Sequence, residues 1–353
     1  MHLGSMTRTL LAGLVSLLSL APVGALAQVG GGDNPGGRIL GEHTFLFPVL
    51  QNSAFVSTHV GIREGIAQYK AGQVPLGDFG PRDVELSGLQ QELDLSFRFT
   101  PWLAFYVTGE GQAIVGTNGI TLVRRGAVFE TSADFGLAFR LMRLEQSGTQ
   151  LTLRTFGGVA TGRAVTVLPL LQSVRNQPGA TLGAILEDDL ADFLLVPTEE
   201  TTFGAGLFLA QAFSRAFGLQ FSATARRVSR TESPLDETLL DRVDNDLRTF
   251  RLQNALALTY DFAAHGAPVG LMGEYLFVLG HRSGTRNTLT EDIHSSTLGL
   301  GVYYTGRPNL QLGLTGVWQI DGEPLQGSTA DGAEAESENP EFKYTQLILR
   351  YVW

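Results

Sequence analysis

Apolar residues alternate with polar or small ones over most of the chain, a period of two that strands produce and helices do not. Between Leu310 and Ile320, one face carries Leu310, Leu312, Leu314, Trp318 and Ile320, and the other Gln311, Gly313, Thr315, Val317 and Gln319. The same rhythm sets Leu298, Leu300, Val302 and Tyr304 against Thr297, Gly299, Gly301 and Tyr303. It recurs in Phe250, Leu252, Leu256, Leu258, Tyr260 and Phe262, opposite Arg251, Gln253, Thr259 and Asp261. No segment approaches the ~18 consecutive apolar residues of a membrane-spanning helix. The pattern predicts about twelve strands, near 55–68, 84–100, 102–114, 130–144, 149–164, 201–214, 218–230, 249–263, 268–282, 294–305, 309–320 and 342–353.

Short connections alternate with long ones. Thr100-Pro101, Glu145 to Gly148, Arg215 to Phe217, Ala264 to Ala267 and Gly306 to Pro308 are short, whereas 69–83, 115–129, 165–200, 231–248, 283–293 and 321–341 are long. That rhythm, with an even strand count, is the pattern of an all-β fold: a transmembrane antiparallel up-and-down β-barrel with short periplasmic turns and long extracellular loops. Charged residues make up only 17% of the chain, low for a domain surrounded by water. At the N-terminus, Arg8 precedes the apolar run Leu10 to Leu20, Pro22 and the small-residue site Ala25-Leu26-Ala27. This order of regions predicts a cleaved signal peptide over 1–27. Residues 28–54 then form a periplasmic N-terminal segment, with Gly30 to Gly32 and Pro35 to Gly37 as a flexible tail and Phe45 to Phe47 able to tuck into the barrel mouth. The barrel occupies 55–353. Without Cys there is neither disulfide framework nor thiolate chemistry. The net charge of −10 argues against nucleic acid as a partner.

The final strand sets Leu347, Leu349, Tyr351 and the terminal Trp353 on one face. It resembles the C-terminal strand of bacterial outer-membrane β-barrel proteins. The resemblance implies a Gram-negative outer membrane, lipid around the barrel and the barrel assembly machinery as a partner that reads this strand. It extends over the signal peptide, the strand rhythm and the terminal strand.

If the apolar faces meet lipid, the opposite faces line the lumen. By parity these carry His59, Arg63, Glu92, Asp94, Arg98, Glu110, Asp134, Arg140, Arg154, Arg226, Arg251, Asp261, Glu274 and Arg350. An Arg at the midplane of the lipid face would cost about 2–4 kcal/mol, so inward placement follows. These charges either line a narrow aqueous path or pair across the lumen and close it. Loops 165–200, 231–248 and 321–341 hold 19 of the 35 acids, a solvated outer face that can also attract cations.

Loop 165–200 also carries Leu182, Ile185, Leu186, Leu190, Phe193 and Leu194 at helical spacing, an amphipathic helix that must bury one face. With Ile120 to Val123 and Ala127 to Phe129 in the neighbouring loop, it is similar to the outer loops of long-chain fatty-acid transporters. That family has fourteen strands and a longer N-terminal plug, so the likeness is limited to the loops. His294-Ser295-Ser296 lacks the Asn-Gly that follows in outer-membrane phospholipases, and the remaining His are scattered without metal-ligand spacing. No catalytic residues, metal or cofactor are expected. The expected function is passage of a small solute through a charged narrow lumen; transport of a hydrophobic ligand, or a closed structural or adhesion barrel, are the alternatives.

Overall fold

In the computed structural model the described residues are 37–77, 81–116, 127–165, 195–233, 235–236, 241–242, 244–284, 290–321, 326–329, 334–336 and 341–353. Twelve long strands form the wall: β1 (His59–Gly77), β2 (Pro81–Thr100), β3 (Leu103–Gly116), β4 (Ala127–Leu144), β5 (Thr149–Val165), β6 (Leu195–Ala212), β7 (Phe217–Glu232), β8 (Asn245–Asp261), β9 (Val269–Gly284), β10 (Thr290–Tyr304), β11 (Leu310–Asp321) and β12 (Glu341–Val352). Each pairs antiparallel with its sequence neighbour, and β12 closes on β1 from Glu341↔Lys70 to Val352↔His59. Closure leaves no open edge in the wall.

The alternation read from the sequence sorts residues between two faces. Along β11, Leu312, Leu314, Trp318 and Ile320 are exposed, while Gln311, Thr315 and Val317 are buried. Along β12, Leu347, Leu349 and Tyr351 face out, and Ile348, Arg350 and Val352 are enclosed. A protein that exposes its large apolar residues in a band and buries glutamine and arginine is inside out relative to a water-soluble one. Lipid is the solvent that makes this arrangement stable.

Several segments expected to be long loops are partly strand. β1 and β2 continue to Gly77 and from Pro81, β8 starts at Asn245, and β10 starts at Thr290. Short strands Gln326–Thr329 and Glu334–Glu336 form a pair beyond β11, and Leu235–Asp236 pairs with Asp241–Arg242 beyond β7. Above the lipid band both faces of a hairpin meet water, so the ladder persists after the alternation has faded. The signal-peptide segment 1–27 and Leu182, Ile185, Leu186, Leu190, Phe193 and Leu194 lie outside the described residues.

The start of the barrel differs from expectation. Phe55, Val56 and Ser57, assigned to the first strand, belong instead to a segment that crosses the lumen, and β1 begins at His59. The described part of the segment expected in the periplasm, residues 37–54, lies within the barrel. Leu40, Phe45, Leu46, Phe47, Ala54 and Phe55 are almost completely buried, too much apolar surface for a chain lying in water.

One inner-wall joint ties β10 to β11. The Tyr303 ring lies over the α-carbons of Gly301 and Gly313, and its hydroxyl meets Thr315 Oγ1 at 2.7 Å. A Cβ on Gly313 would collide with Tyr303 Cδ1. Gly313→Ala is therefore expected to lower barrel stability by about 1–3 kcal/mol, the usual cost of overpacking. The midpoint of reversible urea unfolding in lipid checks this, and an unchanged midpoint would refute the joint.

Candidate functional site

The segment 37–58 enters at the end of the barrel that carries the short turns. A two-residue hairpin comes first: Ile39 pairs with Thr44 and Leu40 with His43. Gly41 and Glu42 make its turn with positive φ at both central positions, the geometry that two-residue hairpins favour. Glycine is also needed at 41 for space, since a Cβ there would stand 3.0 Å from Gly148 Cα and 3.2 Å from Ala212 Cβ.

After the hairpin the backbone is irregular, and each buried N–H and C=O needs a partner that a sheet would otherwise supply. Side chains provide them, mostly from the wall, and Arg38 of the segment itself binds carbonyls of the wall in turn. Arg38 donates to the carbonyls of Pro308 (2.7 Å), Phe45 (3.0 Å), Leu310 (3.2 Å) and Arg307 (3.3 Å). Arg143 donates to the carbonyls of Gly37 and Ile39. The amide of Gln311 both accepts from Phe47 N–H and donates to Phe47 C=O. Gln220 donates to Leu46 C=O and accepts from Ala54 N–H and the Ser53 hydroxyl. Gln150 and Thr152 both donate to Ala54 C=O. At the top of the segment, the Glu274 carboxylate accepts from Val49 N–H and Leu50 N–H at 2.8–3.0 Å. Glutamine suits this work because one neutral side chain carries donor and acceptor. The contacts come from β5, β7, β9 and β11 as well as from turns, so the segment is fastened around the barrel's circumference and forms a plug.

Above and beside the plug, inward-facing charges pair with one another, mostly between strands close together in the wall. Arg63 bonds Glu92 and the Val49 carbonyl. Asp94 accepts from Arg350 at 2.6 Å and meets His59 Nε2 at 3.1 Å, while His59 Nδ1 meets Ser57 Oγ. Arg154 donates to Phe55 C=O and lies 4.8 Å from the Tyr106 ring centre. Arg226 sits 4.4 Å from the Phe156 ring centre and 3.9 Å from Asp134. Glu110 accepts from Gln90 at 2.6 Å. A cavity of about 170 Å³ opens over residues 49–52 of the plug, walled by Arg63, Glu92, Glu110, Asp134, Tyr106 and Arg226. At about 30 Å³ per water in the liquid, this is room for several waters or one small solute. A pocket of about 20 Å³ lies lower, between the plug and Arg63, Asp94, Arg154 and Arg350.

The structure thus distributes the expected lumen residues among several settings. Arg63 pairs with Glu92, Asp94 with Arg350 and His59, and Arg154 with the Phe55 carbonyl, while Arg63, Glu92, Glu110, Asp134 and Arg226 border the upper cavity. Glu274 holds the plug, and Asp261 caps the short 3₁₀ helix Phe262–His265, accepting from Ala263 N–H and Thr305 Oγ1. Arg98 and Arg140 stand at the periplasmic mouth, and Arg251 is half-buried on β8. Arg38, His43, Arg143, Gln150, Gln220 and Gln311 are also part of the site and were not expected there. Arg143 had the wrong parity because the ladder slips between Arg140 and Met142, turning it inward. Ser296, of the His294-Ser295-Ser296 run, has its hydroxyl 3.1 Å from the Tyr275 hydroxyl.

His43 adds a pH dependence. Its Nδ1–H donates to Arg215 C=O at 3.0 Å, and Nε2 meets Thr259 Oγ1 at 2.8 Å. Burial pushes its pKa below the ordinary 6.5, outweighing the Arg215 carbonyl and Asp261. The undocked imidazole thus takes a proton more readily than the docked one. The contribution of His43 to plug docking is full above pH 6.5 and is lost as pH falls below it. Proteolysis of the plug at graded pH should rise toward acid in the parent and be flatter in His43→Gln; equal slopes would remove His43 from the account.

No family model and no curated protein matches the chain. Among solved structures it is similar to the translocator domain of the autotransporter NalP from Neisseria meningitidis, with 9% identity, TM-score 0.49, and 84% of this chain and 88% of that one covered. The transport unit of the autotransporter AIDA-I from Escherichia coli follows, with 9% identity, TM-score 0.47, and 91% and 100% covered. An outer membrane channel from Pseudomonas putida F1 gives 10% identity, TM-score 0.45, and 92% and 100% covered. What decides the class is the wall itself, closed upon itself and apolar outside over a polar interior. The protein is an outer-membrane β-barrel. At this level of identity the likenesses show the fold alone.

Proposed function

We propose that this barrel is an outer-membrane channel for small polar solutes, gated at its periplasmic end by its own residues 37–58. The observation that carries the reading is the polar cavity resting on a plug that, apart from its continuation into β1 at His59, only noncovalent bonds hold to the wall. A barrel built solely as a closed structural element has no need of a detachable partition beneath a hydrated chamber. Around that chamber Glu92, Glu110 and Asp134 outnumber Arg63 and Arg226 by one charge, and the acidic outer loops add to the bias, so small cations are favoured. Selection by charge and size requires no chemical step, and no catalytic role is assigned. Residues 1–27 serve as the cleaved export signal, and Leu347, Leu349, Tyr351 and Trp353 as the strand read by the barrel assembly machinery.

Planar-bilayer recording of the mature protein beside a variant lacking residues 28–57 tests the proposal. The intact protein should remain closed for long periods. The deletion variant, shown folded by heat-modifiable electrophoretic mobility, should give discrete steps and a cation-selective reversal potential in a salt gradient. A folded, inserted deletion variant without conductance would sink the channel reading.

A further inference from the structure

Arg98 and Arg140 differ from the arginines higher in the lumen. Arg63, Arg154, Arg226 and Arg350 are each engaged by a carboxylate, a carbonyl or an aromatic face. Among the described residues, the side chains of Arg98 and Arg140 make no hydrogen bond or ion pair; their backbone N–H groups bond Thr58 Oγ1 and Trp102 C=O. Both are more than half enclosed. They project inward from β2 and β4 on either side of β3, where the ladder runs Arg98↔Ala104↔Ala138. The slip after Arg140 adds Arg143 to the same patch. The three guanidinium groups repel one another, and Glu145, already paired with Arg143 and largely exposed, offsets this only in part.

Like charges held together without counter-ions destabilise the fold that holds them, unless an anion arrives between them. Guanidinium groups present paired N–H donors whose spacing matches the oxygens of phosphate and carboxylate. The patch faces the lumen, so a lipid headgroup in the surrounding membrane has no access to it. It also lies below the plug: Arg98 Nη1 stands 3.3 Å from where a Cβ on Gly37 would be, and Arg143 holds the Gly37 carbonyl. Solutes therefore reach it from the periplasm, while the acidic outer loops disfavour anions at the other end.

We infer that Arg98 and Arg140, with Arg143 beside them, form a binding site for a small oxyanion presented from the periplasmic side. The site is independent of whether the lumen conducts, and a binding measurement separates the two.

The mature protein in detergent would be titrated calorimetrically with inorganic phosphate at constant ionic strength, with chloride as the control anion. Saturable phosphate binding is expected in the parent, weakened at least about tenfold in the double variant Arg98→Gln, Arg140→Gln. Arg98→Gln alone should give an intermediate loss, which keeps the test available if the double variant misfolds. The lysine pair Arg98→Lys, Arg140→Lys should retain part of the affinity, because charge remains and the paired donors do not. Without phosphate, the glutamine variants should melt above the parent, since repulsion has been removed; a merely structural arginine pair would make them melt lower. Absence of saturable phosphate binding in the parent, equal binding in the glutamine variants, or a lowered melting temperature in them would overturn the inference.

Discussion

Replacing Glu274 by alanine should turn a barrel that rarely opens into one that opens often. The carboxylate receives two consecutive backbone N–H groups of the plug, Val49 at 2.9–3.0 Å and Leu50 at 2.8 Å. Hydrogen bonds to charged groups contribute about 1.5–3 kcal/mol, and buried donors left without partners cost about 1–3 kcal/mol each. A loss of roughly 3 kcal/mol from the docked state raises the open-to-closed ratio by about a hundredfold, at 1.4 kcal/mol per factor of ten. Glu274→Gln keeps one acceptor oxygen and should fall between parent and alanine. Open probability in single-channel recordings measures the series. If alanine and parent open equally often, the plug is not held at this point.

The second large effect belongs to Gly218→Leu. Gly218 lies on β7 where the plug presses against the wall: a Cβ would stand 2.5 Å from His43 Cδ2, 2.7 Å from His43 Nε2 and 2.7 Å from Phe45 Cε1. The wall can accept an inward leucine once the plug has left, but the plug cannot stay beside it. The wall strands remain paired in either case, so the barrel should survive and the plug alone be expelled. Arg38 is fully buried in the docked plug and serves as a reporter. Trypsin should leave the bond after Arg38 intact in the parent and cut it in Gly218→Leu, with the barrel protected in both. Protection of that bond in the variant would show that the plug accommodates the side chain.

Much of this architecture was legible because lipid imposes a strict rule on every wall strand. A residue facing lipid must be apolar, so Leu312, Leu314 and Trp318 declare their side, and Arg350 on the neighbouring strand declares the other. The plug obeys no such rule. Its backbone from Phe45 to Thr58 is irregular, its hydrogen-bond partners lie up to 264 positions away along the chain in neither helical nor strand register, and only the apolar run Phe45 to Phe47 hinted that it was not free in water. The residues that fasten it were hidden for a related reason. Gln150, Gln220 and Gln311 are uncharged, so an inventory of lumen charges passes over them, although each faces inward by parity. Arg143 was lost to a single slipped residue. The extracellular extensions of β1 and β2 left little trace because water on both faces relaxes the demand for alternation.

The plug precedes the first strand in the chain, but the groups that secure it come mostly from late ones: Gln220, Thr259, Glu274 and Gln311 all follow the midpoint of the sequence. Contacts so distant along the chain form late in folding, since long loops must first be closed. The wall must therefore be nearly complete before its partition has anywhere to bind. A newly inserted molecule passes through an interval in which the cylinder has closed and the passage is still unobstructed. The cell bears a brief leak for each copy it makes, and its length is set by how quickly a short tethered segment finds a pocket that its own trailing strands have just finished building.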